Sequence, residues 1–355
     1  MKAWVLEKIG DIKYEEIADP KPRRKEVLLR VKAAGICGSD IPRIYKTGAH
    51  KAPLVPGHEF AGTVVSVGEE VPEEWIGRNA GVFPLIPCMK CAPCMEERYE
   101  MCRSYDYLGS RSDGGFAEFV RVPEWNLLAL PDNVSFEAAA MLEPMSVAMH
   151  AMRHGLHAIS DRTLEKDETI LISGLGTIGM LLLMHLRNDG YKNILLIGKK
   201  DFQRKKAIEL GAGADSYFDY KTGDPYEWVM DKTHSKGVSL MFDCVGRNEV
   251  INLGIRCAKP GGALVFVGNP YSDMGLEKDV YWKILRNQLT IKGTWNSSFT
   301  HSKEDDWNHC LRNLENGSIH PERFISHRFK MEELEKGFMI MRDKTEDFMK
   351  VMAVQ

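Results

Sequence analysis

A cysteine, a histidine and a carboxylate occur at three separated places in this 355-residue sequence, each in a short motif. Cys37 is in GICGSD, His58 in PGHE and Glu143 in LEP. A thiolate, an imidazole and a carboxylate are the kind of ligands a catalytic zinc uses, with a fourth position left for water or a substrate oxygen. Each residue alone also reads as an ordinary structural side chain, so the expectation rests on the set. A second group is compact in sequence: Cys88, Cys91, Cys94 and Cys102 follow the spacing CxxCxxCx7C. Four thiolates at that spacing can enclose one tetrahedral zinc with no vacancy, which describes a structural site. An iron–sulfur cluster also takes four cysteines, although nothing else in the chain offers an electron-transfer context. Lys90, Arg98 and Arg103 would partly offset the charge of such a centre.

A third motif is a glycine turn, Gly174, Leu175, Gly176, Thr177, Ile178 and Gly179. It follows the apolar run 169–173 and opens an apolar helical pattern over 180–187, and a second apolar run, 193–197, comes at the right distance. In that setting the first glycine turns the chain, the second admits a pyrophosphate to the backbone, and the third lets helix pack on strand. Further strands are expected over 238–242, ending at Cys244 and Val245, and over 263–267, ending at Val267 and Gly268. These ends are candidate cofactor contacts. Strands separated by helices require a parallel sheet, so this half reads as a dinucleotide-binding α/β domain.

The elements that must position the first two groups are different. Residues 1–36 alternate apolar and polar positions in short runs broken by Pro20 and Pro22, which indicates antiparallel strands. Residues 61–68 read as another strand. From Ser135, a plausible N-cap, the pattern becomes helical toward Glu143, and Pro144 breaks or restarts it. Met141, Met145, Met149 and Met152 form a stripe at helical spacing and read as core. The polar stretch 160–168 reads as a linker. After 289–295 the alternation stops, leaving helical patterns over 304–315 and 331–342 in a tail too short to fold alone; it is expected to rejoin the first domain.

Composition bounds the function. The net charge is −3, without the basic excess that would draw a protein to nucleic acid, so a small molecule is the expected partner. No run of eighteen apolar residues exists, and the first residues lack the apolar core of a signal peptide, so no membrane association and a cytoplasmic location are expected. Four of the eight cysteines crowd into 88–102 at metal spacing, which suggests a reducing compartment. A zinc ribbon would explain those four but neither the glycine turn nor the Cys37, His58 and Glu143 set. A zinc-free quinone reductase would explain the dinucleotide-binding half alone.

Taken together, GICGSD, PGHEFAG, the four-cysteine lobe, LEP and GLGTIG resemble, in order and spacing and over nearly the whole chain, the zinc-dependent medium-chain alcohol and polyol dehydrogenases. The sorbitol dehydrogenase-like branch is most similar, and within it the galactitol-1-phosphate 5-dehydrogenase group, which shares IPRIYK and GAH after the zinc cysteine. The resemblance implies a GroES-like catalytic domain, here 1–144 and 291–355, split around a Rossmann domain, here 145–290. It implies two zinc ions per chain, an NAD(P) cofactor, a homodimer or homotetramer joined through the Rossmann sheets, and an active site in the cleft between domains.

Carried over residue by residue, it makes Ser39 the hydroxyl that accepts the alcohol proton and Glu59 a residue close to the zinc, as a transient ligand or through water. Glu143 replaces the second cysteine of ethanol-type enzymes. Their relay histidine, three residues after the serine, is Pro42 here. Counting back from Gly211 and Ala212 places Gly198 where an NAD-selecting acid belongs. The missing carboxylate, with Lys199, Lys200 and Arg204 beside it and Tyr220 at a position where NADP-dependent relatives have tyrosine, leads to an expected preference for NADP(H). Arg43, Lys46, His50, Trp295 and Asn296 are the candidate contacts for a polyol or polyol phosphate; an unphosphorylated polyol, a vicinal diol or L-threonine is the alternative.

Overall fold

The computed structural model describes residues 1–159 and 164–355; the expected linker 160–168 therefore lies partly outside the described residues. The chain divides into two compact units, Met1–Ser146 with Ser297–Gln355, and Val147–Asn296.

The first unit is built on the Glu26–Ile36 strand. Its alternating Val27, Leu29 and Val31 are buried, and near its end both faces are covered. It pairs antiparallel with Glu59–Val67, Phe119–Pro123 and Lys350–Val354. Asn79–Val82 and Leu127–Ala129 extend the sheet on one side, and Ile325–Phe329 extends it on the other, parallel to the last strand. The tail thus supplies two strands to a sheet begun by the N-terminal residues. The core under this sheet gathers Trp4, Phe60, Phe116 and Phe338, and the Trp4 indole N–H donates to the Met331 carbonyl at 2.7 Å.

Register carries the functional consequence. Gly35 faces Glu59 and Ile36 faces Val351, so the end of one strand and the starts of two others converge on Cys37. Gly35 leaves room there, because a Cβ would lie 2.4 Å from Glu59 Oε2, which would have to move. Ser135 caps the Phe136–Ala140 helix by accepting the Ala138 N–H, and the chain restarts as Leu142–Leu156. Pro144 is tolerated in that first turn, where its missing N–H has no intrahelical acceptor. The methionine stripe is buried throughout.

The second unit is a six-stranded parallel sheet in the order Tyr217–Asp219, Ile194–Gly198, Ile170–Ser173, Val238–Asp243, Ala258–Phe266 and Thr290–Gly293. Ile170–Ser173, Ile194–Gly198 and Val238–Asp243 are buried at every position, as in a sheet covered on both faces. The return to the first unit falls at Ser297 rather than at 291, because Thr290–Gly293 pairs with Ala258–Phe266 as the sixth strand. No helix of the described residues is long and apolar enough to cross a membrane.

Candidate active site

In the first unit, the donor atoms of Cys37, His58 and Glu59 lie within 4.8 Å of one another. Cys37 directly follows the central strand, while His58 directly precedes its neighbour, which Glu59 opens; His58 and Glu59 are 4% and 1% exposed. A single carboxylate braces two of them. Asp40, fully buried, accepts the Cys37 backbone N–H at 2.9 Å through Oδ2, and its Oδ1 stands 3.4 Å from His58 Nδ1. Arg43 Nη1 donates to the same Oδ1 at 2.6 Å. Burial opposes charge on Asp40, but His58, Arg43 and the Cys37 N–H outweigh it and hold its carboxyl below the usual range. Burial likewise opposes charge on His58, yet Asp40 and Cys37 raise its pKa well above the ordinary value.

Glu143 lies outside that trio, although the sequence pointed to it rather than Glu59 as the third ligand. It is buried, and the Tyr107 hydroxyl donates to its Oε1 at 3.1 Å. Burial pushes its carboxyl up to about 7; Glu59 adds to the rise, while His58, Lys350 and Tyr107 act against it. Tyr107 also meets the His58 ring edge-on, with centroids 5.8 Å apart. Burial and the Glu143 charge raise the phenol well above its usual range. Glu59 is held from the other side by Lys350, 3% exposed, whose ammonium pairs with Oε2 and donates to the Ile36 carbonyl at 3.2 Å. Tyr107 and Lys350 were not legible in sequence, because neither belongs to a motif and each meets its partner only in the folded chain.

A soft thiolate, an imidazole and a nearby pair of buried carboxylates are a donor set suited to zinc, and the cation would offset the negative charge gathered around His58. Ser39 is half-buried two residues beyond Cys37, and its hydroxyl makes no capping hydrogen bond. Of the candidate substrate contacts, Arg43 pairs with Asp40. Lys46 and His50 are exposed.

The four-cysteine lobe assembles as expected. Cys91 and Cys94 sulfurs are 3.5 Å apart, Cys88 and Cys94 3.9 Å, and Cys91 and Cys102 3.9 Å. A tetrahedron with metal–sulfur bonds of ~2.3 Å has edges of ~3.8 Å, so the group fits zinc without rearrangement. Backbone N–H groups of Arg103 and Cys94 lower the Cys91 thiol to about 6, whereas burial raises Cys94 to about 12. All eight cysteines are free of disulfides.

In the second unit, Gly174 has φ +92°, and a Cβ there would strike Val245 Cγ2 at 2.5 Å. Gly176 is the N-cap of the Thr177–Asn188 helix, which begins with Thr177, Ile178 and Gly179, and Leu175 is buried beneath the turn. Asp243 organises the facing strand ends. Its Oδ1 accepts the N–H groups of Val245 and Gly246, and its carbonyl those of Val267 and Gly268; Cys244 lies between, its thiol pushed up by burial. Gly198 ends the Ile194–Gly198 strand, where its carbonyl accepts the Tyr220 N–H at 2.8 Å.

The place a side chain at 198 would take is filled by Tyr217, whose ring and hydroxyl lie 2.8 Å from a Cβ built on Gly198. The Tyr217 hydroxyl donates to the Lys200 carbonyl at 3.0 Å and accepts the Lys200 N–H at 3.2 Å, pinning the turn that carries Lys199 and Lys200. Arg204 is exposed and donates to the Ala214 carbonyl at 3.3 Å, and Tyr220 is half exposed. Trp295 is exposed, and Asn296 takes a left-handed φ of +57°.

Comparison with known proteins covers both units. The alcohol dehydrogenase GroES-like domain matches residues 23–132, and the zinc-binding dehydrogenase domain matches 177–316. Galactitol 1-phosphate 5-dehydrogenase of Escherichia coli is 31% identical over 333 residues, 94% of each chain. L-threonine 3-dehydrogenase of Bacillus licheniformis is 30% identical over 350 residues, 96% of each. The crystal structure of a zinc-binding dehydrogenase from Sinorhizobium meliloti bound to NADP has a TM-score of 0.89 at 27% identity, covering 100% of this chain and 99% of that one. With a thiolate, imidazole and carboxylate site in a GroES-like unit, a closed four-cysteine lobe and a glycine turn on a parallel sheet, the chain belongs to the zinc-dependent medium-chain alcohol and polyol dehydrogenases, which use a nicotinamide cofactor.

Proposed function

We propose that this dehydrogenase oxidises a secondary alcohol of a polyol or polyol phosphate of the galactitol 1-phosphate kind, with NADP+ as the preferred hydride acceptor. The observation that carries the reading is the buried assembly of Cys37, His58, Glu59 and Glu143, braced by Asp40 and Lys350. Cys37, His58 and Glu143 would hold the catalytic zinc, with Glu59 in reserve. Zinc, when bound, supplies the Lewis acidity that brings an alcohol's pKa toward neutrality. Ser39, with no capping role, accepts the alcohol proton. Pro42 has no proton to pass on, so the proton leaves Ser39 by another route.

The glycine turn Gly174 to Gly179 offers backbone N–H groups at a helix N-terminus to the pyrophosphate. Cys244, Val245, Val267 and Gly268 would face the dinucleotide. At Gly198 no carboxylate is present to accept ribose hydroxyls or repel a 2′-phosphate, and Lys199, Lys200, Arg204 and Tyr220 supply charge and a hydroxyl instead. The relative bound to NADP is consistent with this. Lys46, His50, Trp295 and Asn296 are the substrate contacts.

A second reading, L-threonine or an unphosphorylated polyol, is favoured by the threonine dehydrogenase relative and by the commitment of Arg43 to Asp40, which removes one cation from phosphate recognition. The eight free cysteines support a cytoplasmic location. A homo-oligomer is supported by the helix Lys278–Arg286, which exposes Tyr281, Trp282 and Leu285 beside the open edge strand Thr290–Gly293. The test is kcat/KM for galactitol 1-phosphate, galactitol, sorbitol and L-threonine with both cofactors. The highest value is expected for the phosphate with NADP+, by ~10-fold or more over galactitol if one charge-assisted hydrogen bond to phosphate is made. A higher value for L-threonine or a plain polyol replaces the substrate assignment.

A further inference from the structure

Within the first unit, a row of rings leads outward from the site and ends on a cation. The Tyr107 ring meets His58 with centroids 5.8 Å apart, and the Tyr105 ring meets Tyr107 edge-on at 6.2 Å. The Arg111 guanidinium then lies over the Tyr105 ring, 4.6 Å from its centroid. The loop that carries Arg111 is tied to the site at two places. The Tyr107 carbonyl accepts the N–H groups of Ser110, Arg111 and Ser112 at 3.1, 2.9 and 3.2 Å. Gly109 and Gly114 pack on the backbone of Gly57, the residue before His58; a Cβ on either would lie 2.3 or 2.1 Å from the Gly57 carbonyl oxygen.

Arg111 is half-buried, yet among the described residues no carboxylate pairs with it. The two acids of the same stretch are turned to backbone instead. Asp106 Oδ1 accepts the Tyr107 N–H at 2.7 Å, and Asp113 Oδ1 accepts the Val55 N–H at 3.0 Å. A ring face holds a guanidinium flat while leaving its in-plane N–H fork open, and that fork matches the oxygens of a phosphate. Resting on the polyol phosphate reading above, we propose that Arg111 is the specificity-determining residue that binds the terminal phosphate of the substrate. The spacing suits a long substrate. Two rings stand between the guanidinium and His58, and in a polyol phosphate several carbons separate the phosphate from the reacting secondary alcohol. In L-threonine the carboxylate is close to the hydroxyl-bearing carbon, a much shorter span.

The experiment uses the zinc-loaded full chain as wild type, Arg111→Ala and Arg111→Lys at saturating cofactor. Zinc content is measured, with kcat and KM for galactitol 1-phosphate, galactitol and L-threonine, and the inhibition constant of inorganic phosphate against galactitol. In Arg111→Ala, KM for galactitol 1-phosphate is expected to rise by ~10-fold or more while its kcat stays within ~3-fold, so that the preference over galactitol falls by ~10-fold or more. Inhibition by inorganic phosphate is expected to weaken by ~10-fold or more in the same variant. Arg111→Lys is expected to recover part of both, because it keeps the charge but loses the fork and the stacked plane. If Arg111→Ala does not fold, Arg111→Gln removes the same charge and carries the test. An equal loss on both substrates with unchanged phosphate inhibition would leave Arg111 only a support for Tyr105 and Tyr107, and overturns the proposal. A wild type that prefers galactitol 1-phosphate, with that preference kept in Arg111→Ala, overturns the Arg111 assignment alone. A wild type that oxidises galactitol as readily as its phosphate, or L-threonine better than either, overturns the polyol phosphate reading and this proposal with it.

Discussion

At the scale of single residues, the site is a balance of buried charges. Glu143 is an acid whose burial disfavours ionisation and whose Oε1 takes a hydrogen bond from Tyr107. Glu143→Ala is therefore expected to abolish turnover while the melting transition and the lobe zinc stay as in wild type; near-normal activity would remove Glu143 from the ligand set. Tyr107→Phe deletes only the hydroxyl, and a loss of ~10–100-fold in activity or zinc affinity is expected, as for other groups that orient ligands. Metal titration and kcat together check it. For the cofactor, the double variant Lys199→Ala, Lys200→Ala is expected to lower kcat/KM for NADP+ by ~10-fold or more, with little change for NAD+, because charge-assisted hydrogen bonds are worth about 1.5–3 kcal/mol. Adding an acid at 198 alone forces a Cβ against Tyr217, so a gain for NAD+ is expected only in Gly198→Asp with Tyr217→Ala. Equal kcat/KM values for the two cofactors in wild type would defeat this account.

At the scale of elements, three strand ends place the donors and a separate lobe stiffens the unit. The lobe sulfurs already stand about an edge length of a zinc tetrahedron apart, so metal binding there contributes directly to folding. Cys94→Ser is expected to lower the melting temperature and to lose one zinc per chain while the catalytic zinc stays; loss of turnover at unchanged stability would contradict a structural role. The strand ends make a different demand. Gly35→Ala drives a Cβ into Glu59, and a destabilisation of roughly 1–3 kcal/mol, the usual range for overpacking, is expected in denaturant titration together with reduced activity. The motifs GICGSD and PGHE could be read in the chain because the chemistry of their residues is local. That Gly35 faces Glu59 could not, since pairing between residues 24 positions apart depends on register.

At the scale of the whole molecule, the proposed homo-oligomer is tested at the exposed Tyr281, Trp282 and Leu285, on the helix that precedes Thr290–Gly293, the last strand of the sheet among the described residues. Trp282→Glu with Leu285→Glu is expected to yield a smaller species in sedimentation velocity with unchanged circular dichroism; an unaltered sedimentation coefficient would show that this face is not the contact. The glycine turn, the lobe spacing and the three separated ligand motifs determined the fold class and the chemistry, because tight turns and metal sites need particular residue types at particular intervals. Tertiary structure alone decided which acid stands in the close trio, that Arg43 serves Asp40, that Tyr107 and Lys350 belong to the site, and that Tyr217 fills the space beside Gly198. It also moved the second boundary from 291 to 297, because Thr290–Gly293 finds its partner in the parallel sheet. Each of these depends on side chains far apart in the chain meeting through strand pairing and burial, and no local pattern of residue types encodes such a meeting.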